Sequence, residues 1–208
     1  MINDKSITPI LLNQLRGIIT SPLISIFCKK FEENEIVLRK SIDTSICTVL
    51  IGLENIMDNS VLYDKIIESI ILTEFYKTIE FENGKLLSIN YSFEQEGYIP
   101  LSLIFSVKKR RISEMISNEV GVKSKTAGAI LNFAVMLILS HFINEKQKAK
   151  IIQNDLNSEK KAILSTVPEG IRVLLGYANF KCDDSYSQSN PLTDTDLKSR
   201  FLTKFFKF

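Results

Sequence analysis

The chain has 208 residues, enough for one large domain or two small ones, each able to bury a real core. Hydrophobic residues make up 45% of it, near the globular average, which excludes wholesale disorder. A formal net charge of +2 implies neither a polyanionic partner nor an acidic substrate from the global balance.

The first stretch, "MINDKSITPILLNQLRGIITSPLISIF", carries Asp4, Lys5 and Pro9 early, and Asn13, Gln14 and Arg16 interrupt its apolar residues. A secretory leader needs a positive start and a continuous apolar run, so none is read here. A cytoplasmic location is expected, with peripheral envelope association as the alternative. Ser21 before Pro22 reads as a helix start, because the hydroxyl accepts an orphan amide and proline has no amide to leave unpaired. Thr8 before Pro9 repeats the arrangement, giving helices at about 8–19 and 21–31. Asn34 then caps a long helix in which Ile42, Ile46, Val49, Leu50 and Leu53 recur at helical spacing. After Asp58, Asn59 and Ser60, "VLYDKIIESIILTEFYK" predicts a fourth helix with Leu62, Ile66, Ile70 and Phe75 inward.

The middle changes period. Asn83-Gly84 separates two short runs, and Leu87, Ile89, Tyr91 and Phe93 alternate with polar residues, which is the pattern of a β-hairpin. The segment 79–99 is therefore a short hairpin near 79–93 or an extended connector. Helices resume after Pro100, at about 101–120, 124–144, 146–155, 158–165 and 168–178. Residues 181–196 are polar and turn-rich, and 197–208 reads "LKSRFLTKFFKF".

Displacing the chain against itself by 89 residues aligns two helical stretches. Leu23, Ile26 and Phe27 fall on Ile112, Met115 and Ile116, and Phe31 falls on Val120. Ile42, Ile46, Val49, Leu50 and Leu53 fall on Leu131, Val135, Ile138, Leu139 and Phe142. The expected fold is mainly α, a helical bundle of two related helix-turn-helix units. The first unit covers 8–78 and the second 100–180, with 181–208 a polar tail ending in an amphipathic helix.

The stretch "KKRRISEMISNEVGVKSKTAGAIL" has the outline of a DNA reader. A recognition helix, however, must present polar side chains to base edges. From Phe133 to Leu139 the second helix is apolar in every direction, and each large aliphatic left in water forfeits roughly 1.5–3 kcal/mol. A bilayer span needs about 20 mostly apolar residues. Asn132, Ser140 and His141 interrupt the shorter run from Ala127 to Ile143, so interior packing is the expectation. The nucleic-acid alternative rests on Lys108, Lys109, Arg110 and Arg111 with Lys123 and Lys125 as phosphate contacts.

"GVKSKTAGAILNFAVMLILSHF" followed by "DLNSEKKAILSTVPEGIRVLLGYANF" resembles the YidB-like family of bacterial proteins. The matching elements are Gly121, Ser124 to Leu139, Val167-Pro168-Glu169-Gly170 and Leu174-Leu175-Gly176, and the likeness covers about residues 10–180. Ile, Lys and Phe stand here where the family favours Gly and Ala. The resemblance implies an all-helical, homeodomain-like packing and hands over no activity and no functional residues.

Little chemistry is legible. His141 is the one histidine and has no triad signature around it. Asp183-Asp184 and Asp194 with Asp196 lie in the polar tail, and Gly84-Lys85 lacks the upstream glycine of a phosphate loop. Cys28, Cys47 and Cys182 are too scattered for a zinc site or a disulfide framework. No enzyme, metal or cofactor is expected. In the tail, Leu197, Phe201, Leu202, Phe205 and Phe208 share one helical stripe with Lys198, Arg200, Lys204 and Lys207 around it. Such a helix docks on its own core, in a partner's groove or on an anionic bilayer. The expected function is binding or scaffolding through protein–protein contacts or self-association, with nucleic acid or a membrane surface as the alternatives.

Overall fold

A computed structural model describes residues 10–73, 80–82, 85–88 and 93–180. The expectations for Thr8-Pro9, Phe75, the Asn83-Gly84 turn, Cys182, the aspartates of 183–196 and the stripe 197–208 lie outside those residues. What is described is a helical bundle.

Helix α1 (Ile10–Ile18) leads into α2 (Ser21–Phe31). Its cap is Thr20 and not Ser21: Thr20 is extended (φ −87, ψ 155) and its hydroxyl accepts from the Leu23 amide, whereas Ser21 is already helical. Glu32 closes α2 in the left-handed region at φ 53. Asn34 caps α3 (Glu35–Glu54) as expected, its Oδ1 accepting from Ile36 N at 2.8 Å. Ile42, Ile46, Val49, Leu50 and Leu53 are all buried. In α4 (Ser60–Thr73) Tyr63, Ile66 and Ile70 face inward and Leu62 is half-buried. Two short strands, β1 (Glu80–Glu82) and β2 (Lys85–Ser88), pair antiparallel with Glu82 opposite Lys85 and Phe81 opposite Leu86.

The continuous helix expected over 101–120 is broken. Helix α5 (Phe93–Glu96) and helix α6 (Tyr98–Phe105) are followed by a 3₁₀ turn, Ser106–Lys108, and then α7 (Lys109–Val120). The break sits at Ser106, whose φ is positive at 50 with ψ −131. Its reason is tertiary. Ile104 and Phe105 press so closely on Gly52 of α3 that a Cβ there would lie 2.4 Å from the Phe105 ring. Helix α7 must instead run along α8 (Ser124–Asn144), and one straight rod cannot do both.

After α8, Lys146 at φ 50 reverses the chain, so the next helix begins at Ala149 and not at 146. Helix α9 (Ala149–Thr166) is single where two were expected. Ile152, Leu156, Glu159 and Ile163 are all buried and keep one stripe across Asn157-Ser158, so burial of that face overrides weak helix formers. Helix α10 (Glu169–Leu174) ends earlier than 178, closed by Gly176 at φ 99 and a bond from Tyr177 N to Arg172 O at 2.8 Å.

Helix α3 packs against both α8 and α9, with α1 and α2 on its flanks, and the buried side chains form one continuous core. From Ala127 to Phe142 everything in α8 is buried except Gly128, Asn132 and His141, which are half-buried. Although α8 is long and apolar enough to cross a bilayer, it is the core helix. At the centre the Phe27 and Phe93 rings meet Phe133 edge-on at centroid distances of 5.1 and 5.6 Å. Asn132, polar in an apolar helix, donates from Nδ2 to Glu94 O at 2.7 Å, and Gly97 lies against its backbone.

Candidate functional site

The basic run forms the start of α7, and although Lys108, Arg110 and Arg111 are exposed, Lys108, Lys109 and Arg110 have partners within the chain. Lys108 Nζ donates to Leu174 O at 3.1 Å, at the carbonyl end of α10, where helix dipole and cation agree. The ammonium of Lys109 stands 2.9 Å from the centre of the Tyr98 ring and donates to Ser102 Oγ, and its partial burial lowers its pKa. Arg110 pairs with Glu114 one turn on at 2.8 Å. Arg111 and Lys125 are exposed. Lys109, Arg110, Ser113, Ser124 and Gly128 line an open cleft of about 360 Å³ between α7 and α8.

Lys123 has a different place. Its backbone N–H donates to Glu33 Oε1 at 2.8 Å, and its Nζ donates to the Phe31 and Glu32 carbonyls, each at 3.2 Å. The turn after α2 and the turn after α7 thus cap one another. A carboxylate sits at the amino end of α8, which has no side-chain cap of its own, and an ammonium sits at the carboxyl end of α2. The structure therefore brings Lys108–Arg111 together at one helix start and sends Lys123 into a turn-to-turn contact.

Three groupings were not foreseen from the sequence. Glu159, buried in α9, accepts from Leu11 N at 2.7 Å and Leu12 N at 2.9 Å and so satisfies buried first-turn amides of α1 that have no intrahelical acceptor. Tyr177 OH lies 2.5 Å from both Glu54 Oε2 and Asn55 Oδ1, and Lys160 Nζ pairs with Glu54 Oε1 at 2.8 Å. Burial and the Glu54 carboxylate push the Tyr177 phenol up, and its contacts with Glu54 and Asn55 anchor the 175–180 corner. Arg16 forks onto Asp43 with bonds of 2.6 and 2.8 Å, beside Cys47, whose thiol burial raises to about 12. No local motif marks any of these, since each partner lies far along the chain. His141 is half-buried, with its pKa lowered by desolvation. Among the described residues no cluster of His, Cys, Asp and Glu is arranged to hold a metal ion.

The surface feature that stands out is helix α4. Its inner face is core, but Val61, Ile71 and Leu72 are 64%, 47% and 75% exposed. Asp64, Lys65 and Glu68 fall between them on the same outward face, since residues three, four, seven and eleven apart share one side of a helix. Tyr98 and Ile99 of α6, the helix packed beside α4, are also exposed. Comparison of the chain with protein-family models, with curated proteins and with solved structures gives no match.

Proposed function

We propose that this is a non-enzymatic helical binding or scaffold protein that works through protein–protein contacts of its outer surface, with the outward face of α4 as the contact surface. The observation that carries the reading is the exposure of Val61, Ile71 and Leu72 on a helix whose other face is already buried. With Tyr98 and Ile99 of the neighbouring α6 also exposed, the aliphatics of this face add to an apolar surface of the kind that protein contacts cover. The seating of Lys109 on the Tyr98 ring and of Lys123 on the Phe31 and Glu32 carbonyls weighs against the nucleic-acid alternative, because those two ammonium groups already have partners.

The same proposal includes a duplicated architecture. Helices α2 and α7 end at Phe31 and Val120, the left-handed residues are Glu32 and Gly121, and α3 and α8 begin at Glu35 and Ser124. Each pair of positions is 89 residues apart, the displacement that aligns the apolar residues. This supports two related helix-turn-helix units and is compatible with the YidB-like resemblance.

The test is a quantitative pull-down from the native cell with the full chain and with Val61→Ser/Ile71→Ser/Leu72→Ser. The expected result is a protein captured by the unaltered chain and lost by the variant, with thermal stability little changed because the three side chains are solvent-facing. Capture of the same proteins by both chains sinks the reading.

A further inference from the structure

Resting on that reading of α4, we infer that the outward face of α4 is the docking surface for this chain's own C-terminal segment, residues 197–208, which competes there with the external partner. Two observations converge on this. The described residues end three positions after Tyr177, which is bonded to Glu54 and Asn55 at the end of α3, five residues before α4 begins at Ser60. Residues 181–196, polar and turn-rich, then lead to the segment, and that length of chain spans up to about 55 Å when extended. Helix α4 rises only about 1.5 Å per residue over its 14 residues, so every part of its face is within reach.

The second observation is chemical fit. The segment offers Leu197, Phe201, Leu202, Phe205 and Phe208 on one helical stripe, with Lys198, Arg200, Lys204 and Lys207 and no acidic residue. The α4 face offers Val61 at one end, Ile71 and Leu72 at the other, and Asp64, Lys65 and Glu68 between them, a net negative charge. Apolar ends meet an apolar stripe, and the acids meet the segment's cations.

Docking of this kind makes the segment a self-inhibitor. Its intramolecular effective concentration sets how strongly an external protein must bind to displace it.

Hydrogen exchange on the full chain tests this. In Phe201→Ser/Phe205→Ser, amides of residues 60–73 are expected to exchange roughly tenfold faster than in the unaltered chain, while those of α8 do not change. Reciprocally, Val61→Ser/Leu72→Ser speeds exchange in 197–208, and Glu68→Lys does so in a salt-sensitive way. These effects are expected to be independent of protein concentration, and concentration dependence would instead mean docking between two copies and overturn the intramolecular form. Unchanged exchange in 60–73 overturns the inference, as does binding of the unaltered chain to phosphatidylglycerol vesicles that the Phe variant loses without any effect on α4. Failure is separable from that of the parent reading. If α4 and the tail do not couple but the pull-down still depends on α4, only the inference falls; coupling without any captured protein removes the partner and leaves the docking.

Discussion

Between α2 and α3 the chain turns at Glu32, a non-glycine residue at φ 53, and the helix that follows is capped within its own turn by Asn34. Between α7 and α8 the turn residue is Gly121 at φ 86, and α8 takes its carboxylate from Glu33 of the other turn. The first turn therefore accepts backbone strain and caps the helix that follows it from its own residues, while its carbonyls take Lys123 from the other turn. The second is relaxed in backbone but borrows its cap. The interiors differ as well: buried Thr44 in α3 stands 89 residues before Phe133, which holds the aromatic centre of α8. Two pairs with matching helix ends thus divide the work unequally, and the second pair carries more of the core.

The inequality has measurable consequences. The largest is expected at Phe133. Its replacement by Ala empties the contact between the Phe27 and Phe93 rings and is expected to cost about 3–5 kcal/mol. Thr44→Ala, which removes a small side chain, is expected to stay within about 1 kcal/mol. Denaturant unfolding of both variants would break the comparison if the costs came out equal.

At the turns the signs are expected to be opposite. Gly121→Ala adds a Cβ with open space around it but at φ 86, so the loss, about 1 kcal/mol, is conformational. Glu32→Gly relieves the same kind of backbone and is expected to gain up to about 1 kcal/mol, since its ion pair with Lys123 is exposed and contributes little. Thermal melts of the two variants sharpen the contrast, and a destabilised Glu32→Gly would remove it.

The borrowed cap predicts where a change is felt. Glu33→Ala is expected to cost about 1 kcal/mol and to speed amide exchange in the first turn of α8, a helix that lies across the turn from its own. Asn34→Ala should cost a similar amount but act on α3. If Glu33→Ala affected only α3, the reciprocal capping would be wrong.

The smallest effect concerns pH. His141, 89 residues after Gly52, is half-buried, and desolvation holds its pKa below the ordinary 6.5 despite Glu145 nearby. The unfolded chain takes up the proton first as pH falls, so this contribution to stability is present above about pH 6.5 and declines below it until the folded imidazole also protonates. His141→Gln is expected to flatten the difference in melting temperature between about pH 7 and pH 5. An unchanged slope would mean that other groups produce it.

Much of the helical frame was legible. The bounds of α8 were expected at 124–144 and are Ser124–Asn144, because a continuous apolar run between a Gly-containing turn and a polar end leaves few alternatives. The break at Ser106 was not legible, since neither Ser106 nor Val107 is a helix breaker and the cause is the close approach of Phe105 to Gly52. The basic cluster Lys108–Arg111 was visible as a run of charge, but a run does not disclose that Lys108 ends on a carbonyl and Lys109 on an aromatic ring. The outward face of α4 was half visible: its inward Ile66 and Ile70 were anticipated, and the exposure of Leu72 follows only from which neighbours arrive.

By itself the sequence determined that the segments of α2, α3 and α8 become helices, that Asn34 caps α3, and that the apolar run of α8 must leave water. Those are consequences of periodicity and of side chains within a few residues of one another, and they act whatever the rest of the chain does. Only the tertiary structure decided that Glu159 holds the start of α1, 148 residues away, and that the two turns cap each other. A buried carboxylate or a borrowed cap becomes favourable only when packing has already excluded water and fixed the distance, and no local pattern can encode that.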